Sequence, residues 1–372
     1  MSKPITILFG TRPEAIKLAP IILELKKQNI PYRVIHTGQH LELAEQILSA
    51  FDITPDHRLK LMTEAQQPLD LLQKLLSTLP DLIAPDHTGL LIVQGDTTSA
   101  LAGALTAHHQ KVKVAHLEAG LRSYDRMQPF PEESNRTLIS HLADLHFAPT
   151  AGARHNLLAE NIDPDTIHVT GNSVVDALHF ILDQAFVTPG EIRQKYDAGE
   201  GKLILLTTHR RENFGKPLEE IFGAIRDIAE EHPEYTILLP SHPNPNVQQA
   251  VKALRQIPNI HVIDPLTYEE FVPLMAAADL ILTDSGGIQE EAPALGTPVF
   301  VLRNKTERPE LLDSGAGKLI GTNKARIIEE VTSHFRRHQA NERLEVFGDG
   351  HTAERVVRVL KAEVLGIKIT QP

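Results

Sequence analysis

Residues 90–109 read LLIVQGDTTSALAGALTAHH, and this stretch decides the fold class. Residues 90–93 are apolar without alternation, which suits a strand covered on both faces. Thr98–His109 is alanine-rich and reads as a helix. Between them stands a polar turn, Gln94-Gly95-Asp96. The same unit recurs on either side. Toward the N-terminus, Ile5–Phe9 and Tyr32–His36 read as strands, with helices over 13–28 and from about residue 41. Toward the C-terminus, 112–117 and 146–148 read as strands, followed by helices over Glu132–Leu142 and 151–160. The series then restarts. Strands are predicted at 203–207, 236–239, 261–263, 280–282 and Val299–Val301, with helices between them that include 218–231 and 246–256.

Two successive runs of strand–helix units predict an α/β protein of two doubly wound, Rossmann-like domains facing a central cleft. The first is expected over 1–170, joined by a C-terminal helix within 353–372, and the second over 171–352. The composition agrees. The 372 residues are 41% hydrophobic and 23% charged, enough for ordinary cores in two to three domains at ~150 residues each. Lys and Arg number 37 against 48 Asp and Glu, a net charge of −11, which argues against a nucleic-acid partner. With no cysteine, disulfides, thiolate metal sites and cysteine nucleophiles are excluded. The start MSKPITILFG lacks the apolar core of a signal peptide, and no apolar run reaches ~18 residues. The expectation is a cytoplasmic protein with no membrane partner.

Open α/β sheets bind ligands outside the carboxyl ends of their strands. Nearly every predicted strand here ends in reactive side chains: Arg12, Gln39 and His40, Asp96, Glu118, His209-Arg210 and Glu212, His242, and Asp284-Ser285-Gly286-Gly287. Gly10-Thr-Arg-Pro-Glu-Ala-Ile-Lys17 offers a tight turn and a helix start flanked by Arg12 and Lys17, a ready anion site. Ser285-Gly286-Gly287 offers open amides to a diphosphate at a second helix start, with Glu291 a turn further on for ribose hydroxyls. A plainer reading is a Ser-capped helix with glutamates in its first turn. Asp96, Glu118 and Glu132 gather three carboxylates, a set that can divide proton removal from proton delivery. Asp96 alternatively caps the helix near Thr98, and Glu132 is alternatively a first-turn acid after Pro131. Neither G-x-G-x-x-G nor a P-loop occurs, and no H-E-x-x-H or carboxylate set has metal-ligand spacing, so no cofactor and no metal is implied.

These residues sit in ordered blocks: GTRPEAIKLAP, TGQH, VQGDTTSALAGALTA, VAHLEAGLRS, PFPEESNR, HRREN, DSGGIQEEAP and ERPE. The chain resembles the non-hydrolysing UDP-N-acetylglucosamine 2-epimerases over essentially its whole length. The resemblance implies a glycosyltransferase-B type fold, a homodimer, and the interconversion of UDP-GlcNAc and UDP-ManNAc. It implies that Asp96, Glu118 and Glu132 are the catalytic acids and that His209 supports the UDP leaving group. It implies nucleotide-sugar contacts from Arg12, Lys17, Phe271, Ser285, Gly286, Gly287, Glu291 and Arg308. Many bacterial members bind a second UDP-GlcNAc as an activator, and Gln39, His40, Arg210, Glu212 and His242 fit that site. Leu41-Glu42-Leu43 departs from the Arg-Glu-Met type run usual there, which speaks against activation.

Inverting C2 of the sugar requires labilising a C–H that is not next to a carbonyl. Oxidation by NAD would do so, but the dinucleotide fingerprint is missing. Elimination of UDP to 2-acetamidoglucal and re-addition needs acids around the sugar and a cationic grip on the diphosphate, and this sequence offers both. The alternatives are a 2-epimerase acting on a UDP-2,3-diacetamido sugar, a glycosyltransferase-B type UDP-sugar transferase, a non-enzymatic nucleotide-sugar sensor and a hydrolysing epimerase. A simple transferase does not need three clustered acids.

Overall fold

A computed structural model describes residues 3–39, 41–62, 67–184, 187–241, 245–336 and 343–365. The chain divides into two compact units, Met1–Ala177 with Phe347–Pro372, and Leu178–Val346. In the first unit the order is β1 (Ile5–Phe9), α1 (Arg12–Lys27), β2 (Tyr32–His36), α2 (Leu41–Ala50), β3 (His57–Arg58), α3 (Pro68–Leu82) and β4 (Leu90–Gln94). There follow α4 (Thr98–His109), β5 (Lys113–Leu117), α5 (Glu132–Leu142), β6 (Leu145–Ala148), α6 (Ala151–Ala159) and β7 (Ile167–Val169). The unit boundary falls within α7 (Val174–Asp183). The second unit contains α8 (Pro189–Lys195), β8 (Lys202–Thr207), α9 (Lys216–Glu231), β9 (Tyr235–Pro240), α10 (Pro245–Ala250), β10 (Ile260–Ile263) and α11 (Tyr268–Ala277). It continues through β11 (Leu280–Thr283), α12 (Gly286–Leu295), β12 (Val299–Val301), α13 (Pro309–Asp313), β13 (Gly317–Leu319) and α14 (Lys324–Arg336). The last helix, α15 (Thr352–Leu365), belongs to the first unit.

The strand order of the first sheet is β3-β2-β1-β4-β5-β6-β7, and that of the second is β10-β9-β8-β11-β12-β13. Every pairing is parallel. Right-handed crossovers that run one way from β1 and the other way from β4 place helices on opposite faces. That is why β1 and β4 are buried at every position. In the first unit Leu71, Leu75 and Leu79 of α3 pack with the alanines of α4 over Leu8, Leu91 and Val93. Each fully buried leucine of this kind contributes roughly 1.5–3 kcal/mol. In the second unit Ile221, Ile225 and Ile228 of α9 pack over Ile204, Leu206 and Leu282.

The strand order reverses between β1 and β4 in the first sheet and between β8 and β11 in the second. At such switch points the loops splay apart and leave room for a ligand. The loops that open there are Gly10–Arg12 with Gln94–Thr97, and Thr208–Arg210 with Asp284–Gly286.

The final helix is tied back by named contacts. Asp176 of α7 accepts the N–H groups of Thr352 at 3.2 Å and Ala353 at 2.8 Å, capping the start of α15. Burial pushes the Asp176 carboxyl up from its ordinary value, against those hydrogen bonds. Asn172 donates its N–H to Phe347 O at 2.6 Å, and α15 lies against α1.

Candidate active site

In the first unit the end of β1 sets the geometry. A Cβ on Gly10 would lie 2.4 Å from both Ser99 Oγ and Thr37 Oγ1, so only glycine lets the ends of β1, β2 and the start of α4 approach this closely. Glu14 fastens the same corner. Its Oε2 accepts the N–H of Gly10 at 3.0 Å and of Thr11 at 2.8 Å, and its Oε1 accepts Thr97 Oγ1–H at 2.8 Å. One carboxyl therefore joins the turn carrying Arg12 to the turn carrying Asp96. Arg12 itself is the first residue of α1 and half-buried.

Burial pushes the Glu14 carboxyl up to about 7, against the pull of those hydrogen bonds. A raised folded-state value means that the native state holds a proton the unfolded chain releases near 4.5. The stabilisation is complete below pH 4.5 and is lost as pH rises through about 7. The shift corresponds to about 3 kcal/mol. Relative to a Glu14→Gln variant, the wild-type chain should be more stable at pH 5 than at pH 8 by roughly 2–3 kcal/mol. Urea unfolding of both proteins at the two pH values measures this, and a difference independent of pH refutes it.

Asp96 follows β4. Its carboxylate pairs with the Arg136 guanidinium, and its carbonyl accepts Asn135 Nδ2–H at 2.8 Å. Asn135 and Arg136 lie three and four residues after Glu132, on one face of α5. The helix that begins with Glu132 therefore holds Asp96 through its Asn135 and Arg136. The cap of α4 is Thr97, whose hydroxyl accepts the Ala100 N–H at 3.1 Å, so Asp96 is not spent on capping. Glu133, beside Glu132, is committed to structure: it accepts the N–H groups of Ser123 at 3.0 Å and Tyr124 at 2.9 Å.

Glu118 follows β5, the neighbour of β4. Its φ is +63°, a left-handed conformation that side-chain-bearing residues adopt at a cost of order 1–3 kcal/mol. A Cβ on Gly95 would lie 4.0 Å from Glu118 Oε1, so this carboxylate borders the turn that carries Asp96. Glu118 Oε2 pairs with the Lys17 ammonium and accepts Asn172 Nδ2–H at 2.9 Å. Lys17 is buried and stands with the acids. Beneath them His116 donates Nε2–H to Gly95 O at 2.7 Å, and burial pulls its imidazole down to about 3. It is a neutral strut at physiological pH.

In the second unit the centre is Asp284, fully buried. It accepts the N–H of His209 at 3.1 Å, the N–H of Arg210 at 3.0 Å, Thr208 Oγ1–H at 3.0 Å and Asn213 Nδ2–H at 3.0 Å. His209 Nδ1 lies 3.3 Å from Asp284 Oδ1. The next residue, Ser285, is the N-cap of α12, yet its side chain makes no capping hydrogen bond. The first turn of α12 contains no acid, so the plainer Ser-and-glutamate reading fails on both counts. Gly286 and Gly287 occupy that first turn, whose N–H groups have no intrahelical acceptor.

Glu291 is buried in the second turn of α12 and accepts Tyr268 Oη–H at 3.1 Å. Phe271 lies three residues after Tyr268 on the same face of α11. Arg308 reaches the start of α12, where its Nη1 would lie 2.9 Å from a Cβ on Gly286. It is already engaged by Glu290 at 2.6 Å and Glu307 at 2.6 Å. Burial alone would raise the Glu307 carboxyl, but Arg308, Arg303 and Arg210 hold it well below the usual carboxylate range. Gln39 accepts Ser99 Oγ–H at 3.2 Å, and Glu212 accepts Arg303 Nε–H at 2.9 Å. His40 and His242 lie outside the described residues. Sequence reasoning assigned no role to Glu14, Arg136, Asn172 or Asp284. The signal available was their place inside the same motif blocks, or, for Asn172, just after β7.

A family model described as UDP-N-acetylglucosamine 2-epimerase matches residues 23–361. The chain is 45% identical to the UDP-N-acetylglucosamine 2-epimerase of Escherichia coli (strain K12), over 95% of this chain and 97% of that protein. It is 42% identical to the enzyme of the same name from Campylobacter jejuni, over 97% of this chain and 98% of that one. The crystal structure of UDP-GlcNAc 2-epimerase from Neisseria meningitidis bound to UDP-GlcNAc superposes with a TM-score of 0.91, at 41% identity, covering 96% of this chain and 99% of that chain.

Proposed function

The chain belongs to the UDP-N-acetylglucosamine 2-epimerase family, and on that premise we propose that it interconverts UDP-GlcNAc and UDP-ManNAc by elimination and re-addition. The observation that supports the mechanism is that Glu118 borders the Gly95 turn that carries Asp96, while α5, which begins with Glu132, holds Asp96 through Asn135 and Arg136. The anomeric C1–O bond breaks and its electron pair leaves on the UDP diphosphate. A carboxylate takes the C2 proton, and the C2–H electron pair becomes the C1=C2 bond of 2-acetamidoglucal. In the return step a carboxylic acid delivers a proton to the other face of C2, and a diphosphate oxygen bonds again to C1. Atoms and electrons balance with no external oxidant. Asp96, Glu118 and Glu132 are assigned the proton transfers. His209 and the Ser285-Gly286-Gly287 helix start are assigned the diphosphate, since they combine a ring that can donate a hydrogen bond with helix amides. Glu291 is assigned the ribose hydroxyls. Arg308 acts from behind, by holding Glu290 and Glu307 in place beside the helix start.

Proton NMR of the purified protein with UDP-GlcNAc in deuterated water tests the reading. UDP-ManNAc should appear without an acceptor and without added NAD, carrying deuterium at C2. Conversion that leaves C2 unlabelled overturns the mechanism. Transfer that requires an acceptor overturns the activity.

A further inference from the structure

We propose that Asp284 is a positioning residue that fixes the proton on Nδ1 of His209. The inference deepens the reading above, in which His209 meets the diphosphate. The geometry is local to the switch point of β8 and β11. Asp284 is fully buried, and its Oδ2 collects the N–H of Arg210, the hydroxyl of Thr208 and the amide of Asn213, each at 3.0 Å. Its Oδ1 accepts the His209 N–H at 3.1 Å and faces His209 Nδ1 at 3.3 Å. The imidazole is 39% exposed while its carboxylate neighbour is sealed from water.

A carboxylate is an acceptor only, so the nitrogen that faces it must carry the hydrogen. In the neutral ring Nε2 is then the acceptor. After protonation Nε2 becomes a second donor, matched to a phosphate oxygen that gains charge as the C1–O bond breaks. The same carboxylate immediately precedes the N-cap of α12. One buried group thus sets both the histidine ring and the start of the helix assigned to the diphosphate. Thr208, Asn213 and the two backbone N–H groups supply the hydrogen bonds that a buried anion requires. This leaves Asp284 no freedom to turn away from the ring. Asparagine at this position would present an N–H₂ on one side of the carboxamide. Either backbone donors or Nδ1–H would then meet another donor.

The test reads the ring directly. The chain has 19 histidines, so the His209 signal in a ¹⁵N-histidine-labelled sample is identified as the one absent from His209→Gln. At a pH where the ring is neutral, wild-type protein should show protonated Nδ1 and unprotonated Nε2. The opposite tautomer in the wild type overturns the proposal without recourse to any Asp284 variant. In folded Asp284→Asn the signal should move to the other tautomer or to a mixture, and kcat should fall about 10- to 100-fold. In the double variant His209→Gln/Asp284→Asn the second substitution should cost less than threefold. A full additive loss would mean that Asp284 only supports the loop, and would overturn the proposal. The tautomer is measured without substrate, so it stands or falls separately from the epimerase reading.

Discussion

Asp96→Asn, Glu118→Gln and Glu132→Gln should each lower turnover of UDP-GlcNAc by roughly 10²- to 10⁴-fold, the usual contribution of a general acid or base. UDP affinity should survive in all three, because none of these carboxylates is among the groups assigned to the nucleotide. The three losses differ in their structural side effects. Asp96→Asn leaves Arg136 its contact with Glu133 at 3.4 Å. Glu118→Gln removes a charged partner of the buried Lys17 ammonium, so this variant should also lose thermal stability. Glu132→Gln changes the first residue of a helix and weakens a favourable first-turn charge by only ~0.3–1 kcal/mol. Deuterium exchange at C2 and UDP titration, measured together, separate chemistry from folding. Near-normal exchange in any one variant returns that residue to a structural role.

Gly287→Val should weaken UDP binding roughly 10- to 100-fold, the loss of one charge-assisted hydrogen bond at ~1.5–3 kcal/mol. The protein itself has room for the change, since a Cβ there would meet only Ser285 Oγ at 4.0 Å. Thermal stability should therefore move little, and the lost affinity would report close approach of the diphosphate to the backbone. Gly286→Ala is the contrasting case. Its Cβ would lie 2.9 Å from Arg308 Nη1 and 3.3 Å from Glu307 Oε1, so it should disturb a buried ion network and lower stability as well. Calorimetric titration with UDP decides the matter. Unchanged affinity in Gly287→Val places the anion site elsewhere.

The strands at the centre of each sheet were legible because they are continuous apolar runs, as in residues 90–93. Thr98–His109 and Glu132–Leu142 form over the residues anticipated for them. The edge strands β3, β7 and β13 are two or three residues long, too short to carry a period. Helix α3 was unassigned, and it contains Pro80, which reads locally as a breaker. The acids were visible because polar residues stood where buried strands end. Their partners were not. Glu118 meets Asn172 across 54 positions and Asp284 meets His209 across 75, separations that only the parallel sheet order closes.

The first unit is interrupted in sequence: it opens the chain, breaks off within α7 and is completed by α15. Synthesis runs from the N-terminus, so the order of completion differs from the order of starting. The described strands of the first sheet have all been synthesised once residue 169 is made, yet the side of α1 that α15 covers must wait for the last helix. The second unit, Leu178–Val346, is translated whole in that interval and has every strand of its own sheet in hand. Domains generally fold as units as they leave the ribosome. Here the second unit is complete in sequence first, and the first unit closes last, when Asp176 receives the N–H groups of Thr352 and Ala353. A nascent chain therefore finishes the unit it began first only after the unit it began second.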